Sequence, residues 1–184
     1  MLSNELVRKF HIVALLLLSA PLIGAFGIQV VMNELPCPLC LLQRVGMLGV
    51  AVGLLMNLKY GIRPLHYGIS IVSALIGAAV STRQILLHIV PQADGVTGFG
   101  DPVLGLHLYT WALVVFLASI LGIALFMALM KWSESLSDES VVLNKIEKAV
   151  FALFIVLALA NSVGAFLECG IEPCPDTPVK YKML

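Results

Sequence analysis

Two cysteines separated by two residues form the motif with the clearest chemical meaning in this sequence. Cys37 and Cys40 stand in the segment Pro36-Cys37-Pro38-Leu39-Cys40, directly before a long apolar run. Pro38 is tolerated in the first turn of a helix, because its missing N–H would have no partner there, so we expect a helix to begin here. The free N–H groups and the positive dipole end of that helix stabilise a thiolate on Cys40. The spacing therefore indicates thiol–disulfide exchange.

A structural disulfide, a pair of buried thiols and half of a zinc site are the alternatives for this pair. Cysteines this close at a helix start close a small ring, which is typical of a labile disulfide rather than a stabilising one. An oxidising compartment allows such a pair to cycle between dithiol and disulfide. We therefore favour redox chemistry for Cys37 and Cys40.

A second pair, Cys169 and Cys174, follows the last apolar run of the chain. Gly170 and Pro173 permit the tight turn that a disulfide across this gap requires. Such a bond is either a staple for the C-terminal segment or a second exchanging disulfide, and the spacing alone favours neither. The four cysteines of the chain also fit a zinc site, although no zinc-ribbon framework surrounds them.

Two arginines, Arg44 and Arg83, lie inside apolar runs, where an ionised side chain is costly. Arg44 follows Cys40 by four residues, so on a helix it lies on the same face, about 6 Å further along the axis. A cation there stabilises the thiolate and any anion formed on a bound electron acceptor. Arg83 either serves the same acceptor or extends its long side chain towards the headgroups. Both are candidates for binding the acceptor.

Two histidines, His88 and His107, lie near the ends of apolar runs on the same side as the cysteines. They are candidates for a hydrogen bond or a proton to the acceptor, and an interfacial position without chemistry is the alternative. Gln43 and Gln84 each stand beside an arginine, which they orient unless they only pack between helices.

The elements that must position these residues are almost entirely apolar. The 184 residues are 60% apolar and 12% charged, with a mean hydropathy of +1.01, which exceeds the range of water-soluble domains. Eleven basic and eleven acidic residues cancel without any block of like charge, which argues against a nucleic-acid partner. Runs long enough to cross a bilayer lie at about 11 to 32, 41 to 58, 65 to 90, 105 to 130 and 149 to 167.

These runs predict an all-α fold, a polytopic membrane helical bundle that forms one integral membrane domain over residues 1–184. Spanning segments must satisfy their backbone hydrogen bonds internally, and the short alternating segments of a membrane barrel do not occur. The first run is longer than the apolar region of a cleaved signal, so we expect it to be retained. Between the spans, residues 131–148 are typical of a solvated linker and 91–104 of a surface loop.

The distribution of basic residues predicts the orientation of the bundle. One side holds Arg8, Lys9, Lys59, Arg63, Lys131, Lys145 and Lys148, whereas the other holds only Lys180 and Lys182. We therefore expect a cytoplasmic N-terminus and an external C-terminus. This orientation places all four cysteines outside, although the cysteines were not used to derive it.

The segment Cys37-Pro38-Leu39-Cys40-Leu41-Leu42-Gln43-Arg44, which opens the second of several spans, resembles the DsbB family of bacterial disulfide-bond-formation proteins. Arg83-Gln84 and the run Gly105-Leu106-His107-Leu108-Tyr109-Thr110-Trp111 are similar to later landmarks of that family, so the resemblance covers roughly residues 10–130.

The resemblance implies a four-helix protein of the bacterial inner membrane. It implies that the protein reoxidises DsbA, a periplasmic thioredoxin-fold thiol oxidase, and passes the electrons to ubiquinone or menaquinone without a metal. By position, Cys37 and Cys40 match the family's quinone-linked pair, with Cys40 facing the quinone and Arg44 as the adjacent arginine.

The sequence departs from the family pattern at the second cysteine pair, which in the family lies in the loop between the third and fourth spans. Here that loop has no cysteine, and a fifth span precedes Cys169 and Cys174. Our hypothesis is that this C-terminal pair takes the role of the missing loop pair. The alternatives are a quinone-linked reductase resembling vitamin K epoxide reductase, a non-catalytic scaffold with structural disulfides, and a metal-binding module.

Overall fold

Five helices make up the bundle in the computed structural model, which describes residues 4–32, 34–90, 98–100, 102–130, 142–175, 178 and 180–183. They are α1 (Asn4–Val31), α2 (Pro38–Tyr60), α3 (Pro64–His88), α4 (Leu108–Leu129) and α5 (Lys145–Cys169). Each helix is long and apolar enough to cross a membrane. The predictions of an all-α fold and of five spans are confirmed.

The helix ends differ from the sequence prediction where local chemistry decides them. The fourth helix begins at Leu108 rather than near residue 105, because Leu104 and Gly105 have positive φ angles of 52° and 82°. They form a tight turn in which Val103 and Leu106 exchange backbone hydrogen bonds of 2.9 and 3.2 Å.

The connections agree only in part with the predicted ones. Of the predicted linker 131–148, residues 131–141 lie outside the described residues. The prediction of a linker up to residue 148 is wrong, because a capping box of Asn144 and Glu147 starts α5 at Lys145. Of the predicted surface loop 91–104, residues 91–97 and 101 lie outside the described residues.

Helix α2 lies at the centre of the bundle and contacts the four other helices. Glycines permit the closest approaches: the buried ring of Phe116 from α4 packs where Gly46 and Gly77 have no side chain. The added helix α5 packs against α2 and α1. One end of the bundle, which we call the cysteine end, therefore gathers the ends of α1, α3 and α5 and the starts of α2 and α4.

An ion pair anchors α5 at the opposite end of the bundle. Arg8 of α1 contacts the fully buried carboxylate of Glu147 at 2.6 Å and donates a second hydrogen bond of 3.2 Å to the carbonyl oxygen of Leu58. Nearby, the hydroxyl of Tyr67 and the Nε2 atom of His11 are 2.8 Å apart inside the core. The start of α5 is therefore fixed to α1 and α2, and the end of α5 lies at the cysteine end of the bundle.

We expect Gly53→Ala to destabilise the protein by about 1–3 kcal/mol, the usual cost of overpacking a tight core. The new Cβ atom would collide with the carbonyl oxygen of His66 and the hydroxyl of Ser70. Gly122→Ala is the matched control, because in the described structure no atom outside its own helix lies within 4 Å of that position. Thermal unfolding in detergent should show a lower midpoint for Gly53→Ala and an equal or higher midpoint for Gly122→Ala.

Candidate active site

Cys37 and Cys40 lie at the first turn of α2, as predicted. Cys37 is the N-cap residue, and its sulfur accepts a 3.2 Å hydrogen bond from the backbone N–H of Cys40. Both cysteines are free thiols in this structure; Cys37 is buried, with 5% of its surface exposed, and Cys40 is half-buried. A hydrogen bond with the side chain of Cys40 and burial together raise the pKa of the Cys37 thiol, although the backbone N–H of Cys40 acts in the opposite direction, so Cys37 keeps its proton at neutral pH.

A glutamine from α3 bonds both sulfurs. The fully buried Gln84 side chain donates from Nε2 to Cys37 Sγ at 3.1 Å and to Cys40 Sγ at 3.4 Å. Its Oε1 atom accepts a 2.7 Å hydrogen bond from Gln43 Nε2. An N–H donor shared between two sulfurs stabilises negative charge on either of them. From the sequence, Gln84 was predicted only to orient its neighbour Arg83 or to pack between helices, so its contact with both cysteines is a feature that only the structure shows.

Arg44 is held inside the bundle rather than extended to the surface. Only 7% of the residue is exposed. Its Nη1 atom donates to Gln29 Oε1 at 2.6 Å, its Nη2 atom donates to the carbonyl oxygen of Ala25 at 3.1 Å, and its guanidinium lies 4.6 Å from the ring centre of Phe26. The arginine interacts electrostatically with Cys40, one turn away. A buried cation beside a sulfur is an arrangement that favours a thiolate.

A cavity of about 560 Å³ opens beside these residues, between α1, α2 and α4 at the cysteine end. Cys40, Gln43 and Arg44 form part of its wall. Most of the remaining wall is apolar and includes Leu22, Ile28, Met47, Leu108, Trp111 and Val115. The site thus combines a mostly apolar chamber with the sulfur of Cys40, the cation of Arg44 and the amide of Gln43, and Glu34 also lies in its wall.

The C-terminal segment folds back onto the cysteine end. Cys169 and Cys174 form a disulfide with a Cα–Cα distance of 4.6 Å. Cys169 is buried, whereas Cys174 is partly exposed. The Tyr181 hydroxyl accepts a 3.1 Å hydrogen bond from Gln29 Nε2, and the other end of the Gln29 amide accepts from Arg44. One side chain therefore separates the C-terminal segment from the arginine of the site.

Comparisons with known proteins identify the family of this chain. The family model for the disulfide bond formation protein DsbB matches residues 7–97, which include both Cys37 and Cys40. Disulfide bond formation protein B 1 of Pseudomonas fluorescens is 30% identical over 149 residues, covering 64% of this chain and 88% of the relative. The chain belongs to the DsbB family. The family assignment makes it a disulfide bond formation protein with disulfide oxidoreductase activity.

Two further DsbB relatives show how the similarity is distributed. Disulfide bond formation protein B of Pseudomonas syringae pv. tomato is 35% identical over 124 residues, 50% of this chain and 73% of the relative. The protein of that name from Chromobacterium violaceum is 42% identical over 94 residues, 46% of this chain and 55% of the relative. No solved structure matches the chain. The DsbB family model ends before α4 and α5 begin.

The other candidate residues, Arg83, His88 and His107, do not line the cavity. Arg83 is exposed on the outer face of α3, because adjacent helical residues point about 100° apart and Gln84 points inwards. The rings of His88 and His107 stack at 5.6 and 5.3 Å against Tyr109, which does line the cavity. The two histidines therefore contact a wall residue of the cavity.

The loop before α4 is shaped around one of these histidines. His107 Nδ1 donates to the carbonyl oxygen of Gly100 at 3.1 Å. Gly98 has a φ of 95°, and any side chain there would collide with the His107 ring. His88 Nδ1 donates to the carbonyl oxygen of Gln84 at 2.8 Å, which ties the end of α3 to the residue that bonds both sulfurs. In the described part of the chain, no three His, Cys, Asp or Glu side chains form a group able to hold a metal ion.

We expect Gln84→Leu to slow alkylation of Cys40 at neutral pH by about tenfold, because the loss of one hydrogen bond to a charged group costs about 1.5 kcal/mol. Leucine has a similar size, so the packing of α3 on α2 changes little. Rates of iodoacetamide labelling, read by mass spectrometry of the Cys40 peptide, measure the effect. Ser73→Ala, on the same helix and without contact to either sulfur among the hydrogen bonds described, is the control, and equal rates in both variants would contradict the role of Gln84.

Proposed function

We propose that this DsbB-family protein is a quinone-dependent thiol oxidase that reoxidises a periplasmic DsbA-like partner. Electrons pass from the partner's dithiol to Cys169–Cys174, then to Cys37–Cys40, and finally to ubiquinone or menaquinone. The single observation that carries this proposal is the apolar cavity with Cys40 and Arg44 in its wall.

The residues around the cavity fit a quinone. Its volume of about 560 Å³ lies within the range of about 300–1,000 Å³ that is usual for pockets of small ligands. A quinone ring is apolar apart from its carbonyl oxygens, which need donors, and Arg44 and Gln43 carry N–H groups at the wall. A second, mostly apolar cavity of about 250 Å³ shares Val115 with the first, which provides room for part of an isoprenoid chain. A bound quinone supplies the acceptor for two electrons and two protons.

The chain's own residues divide the thiol chemistry between an exposed and a buried pair. Cys174 is the more accessible sulfur of the C-terminal disulfide, so it is the atom that the partner's thiolate attacks while Cys169 leaves with the bonding electrons. The partner's second thiolate then attacks the partner's own sulfur in the mixed disulfide. This step forms the partner's disulfide, releases Cys174 and leaves the C-terminal pair as a dithiol. Two electrons and two protons have moved, and no further reductant is needed.

The second exchange transfers the same two electrons to Cys37–Cys40. Once this pair is a dithiol, Cys40 is the sulfur at the cavity, and Gln84 and Arg44 stabilise its negative charge. Cys37 retains its proton until Cys40 reacts. The Cys37–Cys40 disulfide then forms again as the pair gives up two electrons and two protons, which a bound quinone would accept. The buried pair thus needs no direct contact with a soluble protein.

The proposal also includes an orientation of the bundle and a location in the bacterial inner membrane. The cysteine end of the bundle faces the periplasm and the opposite end faces the cytoplasm, as the distribution of Lys and Arg predicts. A bacterial inner membrane supplies both the quinone and an oxidising compartment for the exposed pair.

Quinone reduction by the purified protein, driven by a reduced DsbA-like protein, tests the proposal directly. We expect turnover in the wild type and a KM for quinone raised about ten- to a hundredfold in Arg44→Gln, because a hydrogen bond to a charged group is worth about 1.5–3 kcal/mol. Lys59→Gln removes a positive charge from the other end of the same helix and should leave KM unchanged. A wild type that reduces no quinone with any thiol donor would falsify the proposed oxidase.

A further inference from the structure

The last turn of α5 contains an acidic side chain that the proposed electron path does not use. Glu168 is fully buried, with 0% of the residue exposed. Neither carboxylate oxygen has a hydrogen-bond partner within the described part of the chain. A carboxyl group removed from water in this way stays ionised only when a positive charge acts on it, and is protonated otherwise, since hydrogen bonds do not compensate its lost hydration.

The positive charge that acts on Glu168 belongs to Arg44. The two side chains interact electrostatically, although they come from different helices, α5 and α2. The backbone of α5 also lies against the residue that holds the arginine: Gln29 Nε2 is 3.7 Å from the position of a Cβ atom on Gly164, one turn before Glu168. Tyr181, beyond α5, bonds the same Gln29 side chain. The fifth helix and the segment after it therefore form a wall of the arginine site.

We propose that Glu168 is the counter-charge of Arg44, and that it thereby sets the reduction potential of the Cys37–Cys40 pair. The inference rests on the proposed function only in treating Cys37–Cys40 as a redox-active pair. Glu168 lies on α5, and the part of the chain that the DsbB family model matches ends earlier, at residue 97. Helix α5 thereby acts as a positioning and charge-setting element of the active site.

The physical basis is competition for one buried cation. Besides Glu168, the titratable groups among the described residues that interact with Arg44 are Cys40, Tyr181 and Cys37. A thiolate on Cys40 is stabilised by the arginine and destabilised by the carboxylate. Reduction of the pair produces the thiol form that can ionise, so removal of the negative charge favours the dithiol over the disulfide and raises the reduction potential.

Equilibration with glutathione buffers measures this effect without quinone and without a protein partner. In each exchange, one glutathione disulfide takes two electrons from the Cys37–Cys40 dithiol and yields two glutathione thiols. After quenching and alkylation, mass spectrometry reads the peptides with Cys37–Cys40 separately from the peptide with Cys169–Cys174. We expect Glu168→Gln to shift the equilibrium towards the dithiol by about tenfold, the size of a unit charge acting through a partly screened interior, which is about 30 mV.

Three variants make the result specific. Glu172→Gln is the matched control, since Glu172 lies in the same segment but is exposed and bonds Lys182 at 3.1 Å, so its effect should stay below about twofold. Glu168→Asp keeps the charge and should restore a potential close to that of the wild type. In an Arg44→Gln background, Glu168→Gln should have no further effect, because a buried carboxylate without its cation does not remain ionised.

Equal potentials in Glu168→Gln, Glu172→Gln and the wild type would overturn the inference, and so would a tenfold shift that persists without Arg44. If the reduction potential shifts in Glu168→Gln while the wild type reduces no quinone, the role of Glu168 as counter-charge is supported and the proposed function is contradicted. If Cys37–Cys40 forms no disulfide at any glutathione ratio, both fall.

Discussion

Replacement of Cys40 by serine should reduce the rate of quinone reduction by at least about a thousandfold with every thiol donor, as removal of a reacting nucleophile usually does. Cys40 is the only cysteine among the described residues that line the cavity. A serine hydroxyl cannot donate the electron pair of a dithiol, and Cys37 is too deeply buried to replace it. Quinone absorbance, followed with a reduced DsbA-like protein and with dithiothreitol as donors, measures the loss.

In the Cys40→Ser variant, the Cys169–Cys174 disulfide should still accept one pair of electrons from the reduced partner. The Cys169–Cys174 disulfide lies outside the cavity, so a stoichiometric amount of reduced partner should open it in Cys40→Ser as fast as in the wild type. Serine has nearly the size of cysteine, and the thermal midpoint should therefore change little. Repeated quinone turnover by Cys40→Ser would contradict the assignment of Cys40 as the quinone-facing sulfur.

Features that depend on neighbours along the chain were predictable from the sequence. The Pro38 helix start places Cys40 in the first turn of α2 and Arg44 on the same face one turn later, and the structure has this arrangement. The five spans followed from hydropathy, because a bilayer demands long apolar helices. The start of α4 did not, since the positive φ of Leu104 is not encoded by a residue type that favours it.

Features that depend on helix packing were not predictable. The sequence analysis gave more weight to the charged Arg83 than to Gln84, yet the uncharged residue bonds both sulfurs and the charged one faces outwards. Periodicity shows that one side of α5 must be buried, but it does not show that Glu168 interacts electrostatically with Arg44 there. A buried polar residue in a membrane helix is a signal for a site, and Glu168 in the sequence could have been read in that way.

The exposed pair gives the second large expected effect. Cys169→Ser combined with Cys174→Ser should lower quinone reduction driven by the DsbA-like partner at least about a hundredfold, because a nucleophile that a protein thiolate can reach is lost. Reduction driven by dithiothreitol should persist, since a small dithiol can approach the half-buried Cys40. Loss of the disulfide costs about 2 kcal/mol for a loop of this length, so unfolding must be measured in parallel.

Comparison of the DsbA-like partner with dithiothreitol as donors shows whether the Cys169–Cys174 disulfide transfers electrons or only stabilises the C-terminal segment. If the disulfide only fastens the C-terminal segment, the double variant should lose stability and both activities in the same proportion, or keep both. The relay further requires that the partner attack the more exposed sulfur. A DsbA-like partner with a single active-site cysteine should therefore form a mixed disulfide at Cys174. Peptide mapping that finds it at Cys169 would exchange the roles of the two sulfurs, and mapping that finds it at Cys40 would contradict the order of electron transfer proposed for this chain.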